Sequence, residues 1–213
     1  MKMIRLIVLG IVATMTFTNF QPAETPLSDV GDKYDVDLEN SKIRWKGKKL
    51  VGYAHEGILK LSKSALTITD SQIESAFFEI DMNSLMDDDA IENPNELGLT
   101  NHLKSEDFFH VEKFPTATIR ITSSKPISNN PDAGDRNFIL TGDLTIKGIT
   151  KKIGFPAAIS MENGSFSAKA TIKFDRSKWN IKYGSGSFFD DLGDDMISDD
   201  IELQVEIVAK EAA

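Results

Sequence analysis

Apolar residues recur at every second position through most of this chain, and that alternation constrains its fold more than any other feature. Tyr34, Val36 and Leu38 begin it, and the same spacing gives Ala76, Phe78, Ile80 and Met82, then Ala117, Ile119 and Ile121. It resumes at Phe138, Leu140, Leu144 and Ile146 and passes through Ile149, Ile153, Phe155 and Ile159. Phe166, Ala168, Ala170, Ile172 and Phe174 follow, and Ile201, Leu203, Val205 and Ile207 close the series. The positions between are largely polar, among them Thr141, Asp143, Thr145, Lys169, Lys173, Glu202 and Glu206. Successive side chains of a strand point to opposite faces, so the pattern predicts an all-β chain of antiparallel sheet with one face on a core and one in water. Asn163-Gly164 and Lys147-Gly148 sit between alternating runs, where a two-residue hairpin turn needs φ > 0 at both central positions. Strands at this spacing build a closed barrel or a sandwich, and periodicity does not choose between them.

Two segments escape the alternation. In Pro94–Phe109, the residues Leu97, Leu99, Leu103 and Phe108 have no strand spacing, and Asn101–Glu106 reads as a short helix or two helical turns. The first eighteen residues read as a signal peptide: Lys2 and Arg5 precede Leu6–Phe17, an apolar run about half the length of the roughly twenty residues that span a bilayer. Cleavage after Thr18 is expected, with an uncleaved anchor as the alternative. Residues 19–32, with Pro22 and Pro26, read as a flexible leader, and 33–211 as the folded domain. The expected location is the periplasm or the medium, with no stable membrane anchor.

Charge and composition exclude several classes of function. The net charge of −9 and the absence of any basic stripe argue against nucleic acid and against anionic lipid head groups. The chain has no cysteine, so disulfides, zinc–thiolate sites and thiol nucleophiles are ruled out. Of its three histidines, His55, His102 and His110, none forms a His-x-x-x-His pair, and His102 and His110 are expected to bond loop backbone. The acidic runs 86–95 and 190–200 lack the order of a calcium loop and are read as solvated. Gly184-Ser185-Gly186-Ser187 lacks the spacing of a nucleophile elbow. No catalytic residue, metal ligand or cofactor site is therefore assigned.

Several separated motifs resemble those of the YceI-like family. They are Asn101–Pro115 (NHLKSEDFFHVEKFP), Gly142–Lys151 (GDLTIKGITK), Phe174–Trp179 (FDRSKW), Lys182–Gly186 (KYGSG) and the closing Ile201–Val205, so the resemblance runs from about Tyr34 to about Ala209. It implies a lipocalin-like antiparallel β-barrel of about eight strands with a short helical excursion beside it. It also implies an elongated pore that takes a long apolar chain: an isoprenoid, a quinone or a fatty-acid-like lipid. The pore-lining candidates are Trp45, Leu59, Phe78, Ile80, Ile119, Ile121, Leu140, Leu144, Ile153, Ala168, Ala170, Ile172 and Trp179. Small residues on the inward series (Ala76, Ala117, Gly142, Gly154, Ala157, Ala168, Ala170) either meet large partners across the interior or leave a cavity. With Phe166 and Phe174 flanking Ala168 and Ala170, the expected channel is wide in its middle and closed at each end. Within the FDRSKW motif, Arg176 is assigned a salt bridge with its neighbour Asp175 ahead of a head-group contact. A lipid-modifying enzyme and a solid structural or adhesion barrel are the alternatives, and a homodimer is left open.

Overall fold

The alternating runs become strands of one closed ladder. The computed structural model describes residues 31–128 and 134–213. Its strands are β1 (Asp32–Val36), β2 (Lys42–Lys48), β3 (Ala54–Thr69), β4 (Gln72–Asp87), β5 (Thr116–Pro126), β6 (Phe138–Ile146), β7 (Ile149–Glu162), β8 (Ser165–Asp175) and β9 (Asp200–Glu211). Strands β2 to β9 pair with their sequence neighbours, and β9 returns to β2 with Trp45 opposite Leu203, which closes an eight-stranded antiparallel barrel. The extra strand β1 lies in line with β2, between β3 and β9, with Tyr34 opposite both Leu66 and Glu211. Among the described residues closure leaves the barrel without an open sheet edge, and eight strands enclose an interior just wide enough for side chains or one small ligand.

Leu38, expected to extend the first strand, lies instead in the turn between β1 and β2. There the Asp37 carboxylate accepts the backbone N–H groups of Glu39 and Asn40, a local bond that competes with the ladder. Both anticipated hairpin turns are present, with φ of 50° and 72° at Lys147-Gly148 and the same pair of values at Asn163-Gly164. The turn between β3 and β4 is made by Asp70-Ser71, also at positive φ but without glycine. Gly154 is exposed, so it does not belong to the inward series. The middle of the barrel is filled with apolar side chains, with Ile43, Leu61, Ile80, Ile119, Leu144 and Ile172 from six strands all buried.

The segment read as a signal peptide, and all of the one read as a leader except Gly31 and Asp32, lie outside the described residues; Asp32 already belongs to β1. The helical excursion comprises α1 (Asp88–Glu92) and α2 (Gly98–Lys104), packed at one end of the barrel against β4. The acidic run that precedes α2 is not wholly solvated. Asp87 is 1% exposed and bonded to Thr100: the Thr100 hydroxyl donates to its carboxylate, and the other carboxylate oxygen caps α1 at Ala90. The same end carries the β2–β3 loop, the β6–β7 hairpin, a 3-10 turn at Arg176–Trp179, and the long connection from there to β9. Among the described residues no helix is long and apolar enough to cross a membrane.

Candidate functional site

At the helical end the interior widens into a chamber of about 820 Å³, within the usual range for a small-molecule site. Its walls come from strands distant in sequence: Trp45 and Gly47 on β2, Leu59 on β3, Met82 and Leu85 on β4, Ala117 on β5, Ile146 on β6 and Ile201 on β9. Leu99, Leu103 and Phe108 cover it from the α2 side, and Tyr183, Phe189, Leu192 and Ile197 from the connection to β9. Deeper in the barrel lies a second void of only about 70 Å³, lined solely by apolar residues, with Ile80, Leu144 and Leu203 bordering both.

The expected channel is thus inverted. The segment flanked by Phe166 and Phe174 is the narrow part, and the wide part lies at the helical end. Ala168 and Ala170 border the lower void, but Phe78, Phe155 and Phe166 border it too and occupy the space the alanines leave. Of the candidates, Trp45 and Leu59 line the chamber, while Ile80 and Leu144 stand at its junction with the void. Phe78, Ile119, Ile121, Leu140, Ala168, Ala170 and Ile172 line the lower void.

Ile153 and Trp179 border neither space. The turn Arg176–Trp179 packs on β7, and the Trp179 ring, 1% exposed, fills that corner, held by its indole N–H donating to Leu144 O (3.2 Å) and by an edge contact with Phe174. Ile153, opposite Gly142, packs against this filled core. Other chamber residues were not assigned from the sequence. Leu85 is out of phase with Ile80 and Met82, because β4 shifts register against β3 in this region, and a period-two count cannot follow such a shift. Leu99 and Leu103, one helical turn apart, carried a signal that the strand pattern does not use.

One glycine permits the geometry of the Trp45 wall. A Cβ on Gly57 would collide with Met86 O and lie 2.7 Å from the Trp45 indole nitrogen, which itself donates to Met86 O at 3.2 Å. The bare backbone of Gly57 lets β3 pass under the indole and keeps Trp45 turned into the chamber.

The rim is polar but its carboxylates are engaged. Lys49 bonds Asp195 at 2.9 Å, which holds the Asp195 carboxyl below the usual range and raises the Lys49 ammonium. His102 meets the Asp107 carboxylate at 3.2 Å, where backbone had been expected, and its ring edges against Phe108 and Tyr183. His110 sits at positive φ with its ring against Phe114, and His55 packs on Tyr53 at the rim. Among the described residues no group of three potential metal ligands comes together.

Arg176 does not pair with Asp175. Asp175 caps the turn through Ser177 N and Oγ and lies 3.7 Å from Lys178, whereas the buried guanidinium forms its ion pair with Asp199 at 3.4 Å. Burial lowers the Arg176 pKa, and the nearby carboxylates of Asp199 and Asp175 oppose that shift.

A family model described as the YceI-like domain matches residues 34–209. A UPF0312 protein of Pseudomonas putida (strain F1) is 28% identical over 131 residues, which span 61% of this chain and 62% of that protein. The solved structure of Burkholderia cenocepacia BcnA superimposes with a TM-score of 0.64 at 23% identity, covering 83% of this chain and all of that one. A polyisoprenoid-binding domain from Saccharophagus degradans, implicated in plant cell wall breakdown, superimposes with a TM-score of 0.56 at 12% identity, over 85% of this chain and 99% of that one. At such identities the likeness to the two structures is one of fold.

Proposed function

The chain belongs to the YceI-like family, and from that premise we propose that it is an exported binding protein that holds a long apolar chain inside its barrel. The ligand class is isoprenoid, quinone or fatty-acid-like, and the protein carries or stores it without chemical conversion. The observation that carries this reading is the chamber of about 820 Å³ with its largely apolar wall, continued inward by a wholly apolar void. Each methylene withdrawn from water contributes about 0.8 kcal/mol, so ten buried carbons give roughly 8 kcal/mol to set against the ordering of a flexible chain. The export part of this reading is supported by Lys2 and Arg5 ahead of the short apolar run Leu6–Phe17, the pattern of a cleaved signal peptide, and its expected destination is the periplasm or the medium. The Saccharophagus degradans domain supports the choice of ligand through its fold and its description as polyisoprenoid-binding.

The test is mass spectrometry of an organic extract from natively expressed, purified protein. A single class of long-chain lipid in near-stoichiometric amount is expected. An extract free of lipid, together with delipidated protein that takes up neither a fluorescent acyl probe nor a polyprenol, overturns the proposal. N-terminal sequencing of the exported species tests processing, with a start near Asn19 expected and an intact Met1 in washed membranes against it.

A further inference from the structure

We infer that Arg176 is a positioning residue that clasps residues 181–199 as a strap over the chamber, and that the unclasped tip of this strap is the gate through which the apolar ligand passes. The inference rests on reading the chamber as the ligand site. Arg176 follows β8 directly and is 2% exposed. Its Nε donates to Ser198 O (3.1 Å), one terminal nitrogen to Ile181 O (3.2 Å) and Tyr183 O (2.8 Å), and the other to Ile197 O (3.1 Å), beside the ion pair with Asp199. Every one of these partners lies in the strap. The outgoing limb, 181–183, and the returning limb, 197–199, are held by a single planar group. Arginine suits this task, since its donors diverge in a fixed fork, whereas a lysine offers donors from one point.

The base of the strap is closed further by its own backbone. Ile197 N donates to Gly184 O at 2.7 Å, and Gly184, at φ +61°, lies so close to Ile197 that a Cβ there would meet its Cδ1 at 2.9 Å. Ser185 is fully buried. Two lateral contacts carry the base across the mouth. On one side the Tyr183 ring packs on Phe108 and His102, at 5.0 and 4.6 Å between centroids. On the other, Lys49 pairs with Asp195 and Leu50 N donates to Met196 O.

The tip differs in character. Phe188 and Phe189 both donate their backbone N–H groups to Ser185 O, and both residues are more than two-fifths exposed, with Lys182 Nζ 5.0 Å from the Phe188 ring centroid. Asp191 and Gly193 stand at positive φ, yet Phe189 and Leu192 border the chamber. A clasped base and an exposed tip that forms part of the wall are what a gate needs: the tip lifts while the base stays seated. The strength of the clasp sets how often the mouth opens widely enough to release a lipid.

The experiment uses the full mature chain, delipidated and reloaded with a pyrene-labelled long-chain fatty acid. Amide hydrogen exchange across 181–199, the probe's release rate and the thermal midpoint are measured for wild type, R176K and Y183A. R176K should raise exchange in the strap at least tenfold, while leaving β5–β7 protected, and speed probe release by a similar factor. Y183A, which removes the contact with the α2 side and spares the clasp, should speed release while exchange at Ile197 stays near wild type. Should R176K not fold, D199N takes its place, as it removes the ion pair and keeps the side-chain shape. Unchanged strap exchange in the clasp variant, or faster exchange with unchanged release, overturns the inference. A wild type that takes up no probe overturns the chamber reading itself, and the gate with it.

Discussion

Replacing Gly47 with phenylalanine places a ring in the upper chamber from a position built to accept one. Gly47 continues the inward series of Ile43 and Trp45 on β2, and a Cβ there meets only Ile201 Cδ1, at an ordinary 3.5 Å. The chamber of about 820 Å³ has room for the ring beyond that Cβ. A glycine inside a strand costs roughly 0.5–1 kcal/mol relative to alanine, so G47F should stabilise the ligand-free protein by about that amount. For a domain of this size the thermal midpoint then rises by about 1–4 °C. Binding moves the other way. If the ring displaces even two ligand carbons, at about 0.8 kcal/mol each, affinity falls by about 1.6 kcal/mol, or roughly fifteenfold. Calorimetric unfolding of delipidated protein and titration with a fluorescent acyl probe read the two effects on one sample. A G47F protein that is destabilised by more than about 1 kcal/mol, at the lower edge of an overpacking cost, yet binds as wild type does, would refute the reasoning: the chamber would be closed at Gly47 and the ligand elsewhere.

The counterpart is A170F, which pushes a ring into a void of about 70 Å³, roughly the share of two water molecules. It should lower unliganded stability by about 1–3 kcal/mol, and a stable, well-folded A170F in thermal melts would show that the lower barrel is roomier than described. G57A sets a methyl against Met86 O and the Trp45 indole and should cost at least about 1–3 kcal/mol, with a loss of the buried Trp45 fluorescence; an unchanged spectrum and midpoint count against it. Acid titration follows from Asp195, whose pKa is depressed first by its hydrogen bond and then by its charge interaction with Lys49. A depressed carboxyl contributes stability that is complete above its unfolded value of about 3.9 and lost as pH falls through the folded value. D195N should therefore show a shallower drop of thermal midpoint below about pH 4 than wild type, and parallel curves would contradict this.

Much of the fold was legible because it is encoded in local periodicity. Alternation in Phe166–Phe174 and Ile201–Ile207 assigns the inward faces of β8 and β9 without reference to anything distant, since the pleat has a period of two wherever the strand lies. Asn163-Gly164 and Lys147-Gly148 announce their turns for a similarly local reason, the φ their backbones must adopt. The helical excursion was readable as a failure of that alternation. What the pattern could not supply was volume. Whether Ala168 and Ala170 face a void depends on Phe78 and Phe155, which approach from other strands and fill most of it. The same holds for the choice of partners. Arg176 passes over its neighbour Asp175 for Asp199 and four carbonyls, because the return of the chain brings those acceptors round the guanidinium and no spacing rule anticipates that. Asp87 is buried for a like reason, once α2 brings Thr100 to it. The sequence by itself determined most of the inward-facing residues and the two glycine hairpin turns, through covalent geometry repeated residue by residue. Only the closed barrel decided where space remains and which polar groups meet, because both are sums over side chains contributed by strands far apart in the chain.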